Sequence, residues 1–137
     1  NAPSVIATAA FALGELKSDS AVQPLSRLLG HEDPNIRKQV ATAYAKMGEM
    51  GLAVLQEAFE GAWQQKENNA VHLRLTVMTV YLEMVEFHPD LMGDVLPLVV
   101  RALDDENWLV KAQAAQVVGR TAQMLSLKES LAPEDPL

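Results

Sequence analysis

An all-α superhelix of about four helical hairpins, the last incomplete, is predicted by three observations: a recurring twelve-residue pattern, an apolar segment after each of the first three copies, and turn chemistry between them. Composition agrees with this. Of the 137 residues, 49% are hydrophobic but only 5% aromatic. Ala, Leu and Val dominate, which suits close-packed helices better than a sheet, whose strands favour β-branched and aromatic side chains. A chain of this length can bury a continuous core.

The pattern is clearest from Ile36 to Met47 (IRKQVATAYAKM): apolar, basic, two free positions, two apolar, one free, two apolar, one small, one free, one apolar. It recurs from Val5 to Leu16, from Leu73 to Met84 and, more loosely, from Val110 to Thr121, so the starts step by 31, 37 and 37. A period of this size marks a stack of helical repeats. The first pattern helix ends at Ser18-Asp19-Ser20, and AVQPLSRLL follows as its antiparallel partner. Gly48 separates the second pattern helix from GLAVLQEAF, and His88-Pro89-Asp90 separates the third from DVLPLVVRAL. Val22, Leu25 and Leu29 fall at i, i+3 and i+7, as do Leu52, Leu55 and Phe59, so each partner turns one apolar stripe toward its neighbour. Capping signals support the boundaries: Ser20 with Gln23 has capping-box spacing, Asp33 precedes Pro34, and Asp90 is placed to cap the third partner helix.

One domain over 1–137 is therefore expected, with repeats at about 1–31, 32–67, 68–104 and 105–132. Solenoid ends need polar caps. The first helix lacks one, because Val5, Ile6, Ala9, Ala10, Phe11, Ala12, Leu13 and Leu16 run nearly all the way round it. The chain also begins at Asn1, and the expectation is a segment of a larger protein, or one that self-associates through this helix. After the fourth pattern, SLKESLAPEDPL is too short and too Pro-interrupted for a full partner helix, and Leu125, Leu127 and Leu131 are expected to fold back as a partial cap.

Charge and composition remove several classes of function. Eighteen Asp and Glu against 11 Lys and Arg give a net charge of −7. That balance repels a phosphate backbone unless the basic residues gather on one face, and in sequence they do not. Without cysteine there is neither a disulfide nor thiolate chemistry. No run approaches the roughly 18 apolar residues that cross a bilayer, and NAPSVIATAA lacks the basic start of a signal peptide, so no membrane is expected as partner and a cytoplasmic location is the default.

Three stretches, Asp33-Pro34-Asn35-Ile36-Arg37 running into VATAYAKMG, AAFALGEL at 9–16, and LDDENWLVKAQAAQVVG at 103–119, resemble the HEAT-like repeats, in particular the short repeats of the phycobilin-lyase type. The likeness extends to about residue 125. Neither the W-x-x-L-G-x-x-Y start of tetratricopeptide repeats nor the T-P-L-H of ankyrin repeats occurs. The resemblance implies that the basic position, here Arg37, Arg74 and Lys111, forms a ladder with acidic or amide residues of the turns, for which Asp33 and Asn107 match. It implies no single function, since such repeats serve many partners.

Enzymes of this class need residues that are missing. Deoxyhypusine hydroxylase carries His-Glu pairs after the basic position for a di-iron site, where this chain has Ala7-Thr8, Lys38-Gln39, Leu75-Thr76 and Ala112-Gln113. His31-Glu32 lies in a turn without a second copy, and His72 and His88 have no ligand-spaced companion. Neither a nucleophile with its base nor a metal or cofactor site is legible, so catalysis is not expected. Alkylpurine DNA glycosylases of the class line a concave face with Lys and Arg, whereas the partner helices here offer chiefly Arg27 and Arg101 with Glu57 and Glu60 between, which argues against nucleic acid.

The remaining function is protein binding. Aligning the partner helices on Val22, Leu52 and Val95 puts Gln23, Ser26 and Arg27 outward in the first, Ala53, Gln56 and Glu57 in the second, and Leu96, Val99 and Val100 in the third. Only the last trio is wholly apolar; exposed apolar surface marks a contact, and the competing reading is that this helix is simply buried on more sides, by Trp63 and Phe59 of the longer second hairpin. A non-catalytic scaffold is expected, with Leu96, Val99 and Val100 as anchors and Glu57, Glu60 and Arg101 as polar rim. The alternatives are a bilin lyase or chaperone-like phycobilisome-associated subunit, implied by the resemblance alone, and a regulatory domain of a larger enzyme assembly.

Overall fold

Helix after helix reverses direction along the chain. The computed structural model describes residues 2–64 and 68–131, and in it the chain runs α1 (Ala2–Leu16), α2 (Asp19–Ser26), α3 (Pro34–Met47), α4 (Leu52–Trp63), α5 (Asn68–Phe87), α6 (Met92–Ala102) and α7 (Trp108–Leu131). Short 3-10 turns at Gly48–Gly51 and Pro89–Leu91 lead into α4 and α6. Among the described residues there is no strand. The odd-numbered helices carry the twelve-residue pattern and pack on one another in order to form one layer, while α2, α4 and α6 form a second. Both α4 and α6 lean more on the pattern helix that follows them than on the one before, which couples each hairpin to the next.

Periodicity explains the core. Ile36, Val40, Tyr44 and Met47 line the inner face of α3, and Val77, Tyr81 and Met84 do so in α5, all buried. Leu55 and Phe59 of α4 are enclosed with them. Each such side chain contributes roughly 1.5–3 kcal/mol when fully buried. Tyr44 and Tyr81 occupy the same register, and burial pushes both phenols above their usual value of 10.0. Tyr44 satisfies its polar tip by donating to the Val22 carbonyl, which ties α3 to α2. At the other interface α1 comes close enough to α3 that a Cβ on Gly14 would meet Ala43 Cα and Cβ at 2.7 Å.

Two caps differ from the sequence expectation. Lys17 adopts a left-handed φ of 49°, so the extended residue that follows, Ser18, becomes the cap of α2 and accepts from Ser20 N at 3.2 Å. Ser20 is already helical. Asp90 does not cap α6, because Pro89 starts a 3-10 turn that spends Asp90 before the helix begins and leaves Leu91 at the cap position with no side-chain bond. Asp33 does cap α3, accepting from Asn35 N at 2.8 Å with Pro34 next to it.

The last helix is also longer than its pattern. Neither Gly nor Pro interrupts the stretch from Thr121 to Leu131, so α7 runs on instead of folding back. Leu125 and Leu127 are exposed, which corrects the expected partial cap, and the side chain of Leu131 lies outside the described residues.

Candidate partner-binding surface

The basic positions build the turns on which the surface rests. Arg74 Nε donates to Asp105 Oδ2 at 2.6 Å, its Nη2 to Oδ1 at 3.2 Å, and its Nη1 to the Ala62 carbonyl at 2.9 Å. One guanidinium in α5 thus holds both the end of α4 and the turn before α7, with five donors in a rigid fork to do so. Asp105 Oδ1 also accepts Asn107 N at 2.9 Å, and the Asn107 side chain caps α7 through Leu109 N at 2.9 Å and Val110 N at 3.3 Å. Arg37 does a related job at the turn before α3, where Nη1 donates to the His31 and Glu32 carbonyls. Asp33 and Asn107 therefore serve as caps and not as direct partners of the basic side chains. Lys111 is exposed.

Asp105 was the residue sequence reasoning missed, although a signal existed. It stands two positions before the capping Asn107, as His31 stands two before the capping Asp33, and His31 Nδ1 accepts Asp33 N at 3.0 Å. The same slot in both turns orients the cap.

The six residues expected to bind a partner separate. Val99 is fully enclosed, because Met92, Val95, Val99 and Ala102 form the inner stripe of a helix that α5 and α7 cover on two sides, so its expected role as an anchor is corrected. Leu96 is half-buried at the mouth of a groove between α6 and α7, and Val100, one turn on, is 55% exposed. Arg101 turns the other way, toward α4. Its guanidinium lies 5.0 Å from the centre of the Trp63 ring and donates to Glu60 Oε1 at 3.2 Å, while Trp63 packs on Phe59 at 5.6 Å. Glu60 and Arg101 border a shallow α4–α6 groove of about 510 Å³ floored by Leu52, Val95 and Leu98, and Glu57 is exposed on α4 beside it. From sequence Trp63 is expected only as cover for the third partner helix, and its place beside Arg101 in this rim depends on how far α4 extends.

The uncapped helix is open on its outer side, with Val5 65% and Leu16 72% exposed. His31 and His88 have structural places, the first orienting the α3 cap and the second with Nε2 3.2 Å from the Lys46 carbonyl and its ring against Gly48. Among the described residues no three His, Asp or Glu side chains converge as metal ligands, and no helix is long and apolar enough to cross a membrane.

Two family models match the chain, HEAT repeats over residues 1–71 and HEAT repeat over residues 95–125. No curated protein and no solved structure matches it.

Proposed function

Because the chain belongs to the HEAT-repeat family, we propose that it is a non-catalytic scaffold that holds a protein partner along the partner-helix surface of α4 and α6. The observation that carries this reading is the arrangement at α6: Val100 exposed on one side, and Arg101 stacked on Trp63 at the lip of the α4–α6 groove on the other. Arg and Trp beside a shallow apolar floor are the residue types that concentrate binding energy at interfaces. The exposed outer side of α1 supports a secondary role in self-association through Val5 and Leu16. Bilin-lyase or phycobilisome-associated activity, and service as a regulatory domain of a larger enzyme assembly, rest on resemblance, and no residue of this surface favours either.

The experiment is affinity capture with the wild type, Val100→Asp and Arg101→Ala, each checked by circular dichroism. Both changes lie at the surface, so the helical signal should persist while the captured partner is lost. Folded variants that retain every partner overturn the assignment.

A further inference from the structure

The pattern helices make one kind of seam three times, α3 on α1, α5 on α3 and α7 on α5, and each end of the stack leaves half of such a seam open. The register of the seam is fixed at its closest point. Gly14, tenth in the pattern of α1, admits Ala43, eighth in the pattern of α3, so that a Cβ on the glycine would meet Ala43 at 2.7 Å. The eighth position is buried in every later pattern helix, as Ala43, Val80 and Val117. In α1 it is Ala12, which is exposed, beside Val5 and Leu16. The sixth and tenth positions, which face the next helix, are buried as Ala10 and Gly14 in α1 and as Ala41 and Ala45 in α3. In α7 they are Ala115 and Gly119, both exposed. A glycine inside a helix costs stability relative to alanine. At Gly14 the close approach of α3 uses the missing Cβ, whereas nothing lies within 4 Å of the Cβ that Gly119 lacks.

The outer edge of each seam is bridged in the same register. Position seven or fourteen of the earlier helix meets position four or eleven of the later one. Lys46 lies over the Phe11 ring, and Thr42 donates to Glu83. Gln113 donates to Thr79, and Arg120 to Glu86. For a further seam α7 offers Gln116 and Gln123 at seven and fourteen, while α1 offers Thr8 and Glu15 at four and eleven. These are complementary, since Gln123 Oε1 accepts from Arg120 at 3.2 Å and its amide hydrogens remain to donate to a carboxylate.

We propose that copies of this chain join head to tail, α1 of one copy packed on the open face of α7 of the next, with Ala12 over Gly119 and Glu15 accepting from Gln123. The inference rests on the self-association reading of α1 and supplies the surface that α1 meets. The occupant is a second copy because, among the described residues, α1 alone leaves the eighth position uncovered, and it carries the fourth and eleventh groups that fit the edge of α7. Such a contact is heterologous, so it propagates as an open stack or a ring instead of stopping at two copies.

Sedimentation velocity of the whole chain, at concentrations up to about 1 mM, should give an average mass that rises past the dimer. Gly119→Leu blocks only the α7 face and Ala12→Leu only the α1 face. Both positions are exposed, so each variant should keep its helical circular dichroism and associate about tenfold more weakly or worse. Mixed in equal amounts they should form dimers and nothing larger, because one intact α1 face then meets one intact α7 face. Gly119→Ala separates folding from assembly, since it should stabilise the single chain yet weaken the stack. The head-to-tail seam is overturned, with self-association through α1 left standing, if the two Gly119 variants associate like wild type while Ala12→Leu does not. It is overturned equally if the mixture is no larger than its components. A wild type that stays monomeric throughout overturns both readings.

Discussion

Arg74 and Asp105, 31 residues apart in sequence, meet as a two-pronged ion pair with both side chains buried. The pair joins α5 to the turn before α7, and through Asn107 it sets the cap of α7. Removing one partner from such a pair strands a buried charge, which costs about 3–5 kcal/mol. Asp105→Ala should therefore lower the urea midpoint sharply, while Arg74→Met with Asp105→Leu recovers much of the loss. A single variant as stable as wild type contradicts the pairing.

Two glycines at helical positions should respond oppositely to alanine. On Gly14 the new Cβ meets Ala43 backbone at 2.7 Å, so α1 must move off α3 and the variant loses about 1–3 kcal/mol. A Cβ on Gly119 meets nothing within 4 Å, so Gly119→Ala gains roughly 0.5–1 kcal/mol from helix propensity. Thermal melts of the two variants on either side of wild type would check this.

Capping separates two aspartates that look alike in sequence. Asp33→Ala removes the bond to Asn35 N and should cost about 1 kcal/mol. Asp90 is exposed and makes no cap, so Asp90→Ala should leave the denaturation midpoint where it is. Equal losses from both would restore the role first assigned to Asp90.

Two glutamates on α5 give opposite pH signatures. Burial raises the Glu83 carboxyl above the usual 4.5, against the lowering by its Thr42 hydrogen bond and by Lys38 and Lys46. A raised carboxyl favours the fold when protonated, below the unfolded value, and that contribution is lost as pH rises through the folded one. At neutral pH Glu83 therefore opposes folding, and Glu83→Gln should stabilise there, by an amount that shrinks in acid. The hydrogen bond from Arg120 lowers Glu86, whose contribution is present above 4.5 and lost as pH falls through the depressed value. Glu86→Gln should therefore destabilise at neutral pH, again with a difference that shrinks in acid. Urea midpoints between about pH 3 and 8 would show both trends.

Local rules carried the sequence reading where partners lie close in the chain. The repeated apolar spacing of Ile36, Val40 and Tyr44 specifies an inner stripe whatever it packs on, and Asp33-Pro34 starts a helix by itself. Between the two readings of the α6 trio, exposed anchors or burial on more sides, sequence could not choose for Val99, because α6 is covered by two helices and its buried stripe is wider than one neighbour requires. Sequence reasoning missed Trp63 and Arg101 as a pair, since their meeting depends on how α4 lies beside α6.

The sequence by itself determined the repeat, its period and its helical register, because these follow from side-chain polarity at fixed spacing along one chain. Only tertiary structure decided that Arg74 takes Asp105, that α7 overruns its pattern beside an open groove, and that the enclosed Thr121 hydroxyl finds no partner among the described residues. Those outcomes depend on which surfaces come within hydrogen-bonding distance across the stack, and that distance is set by packing between helices many residues apart.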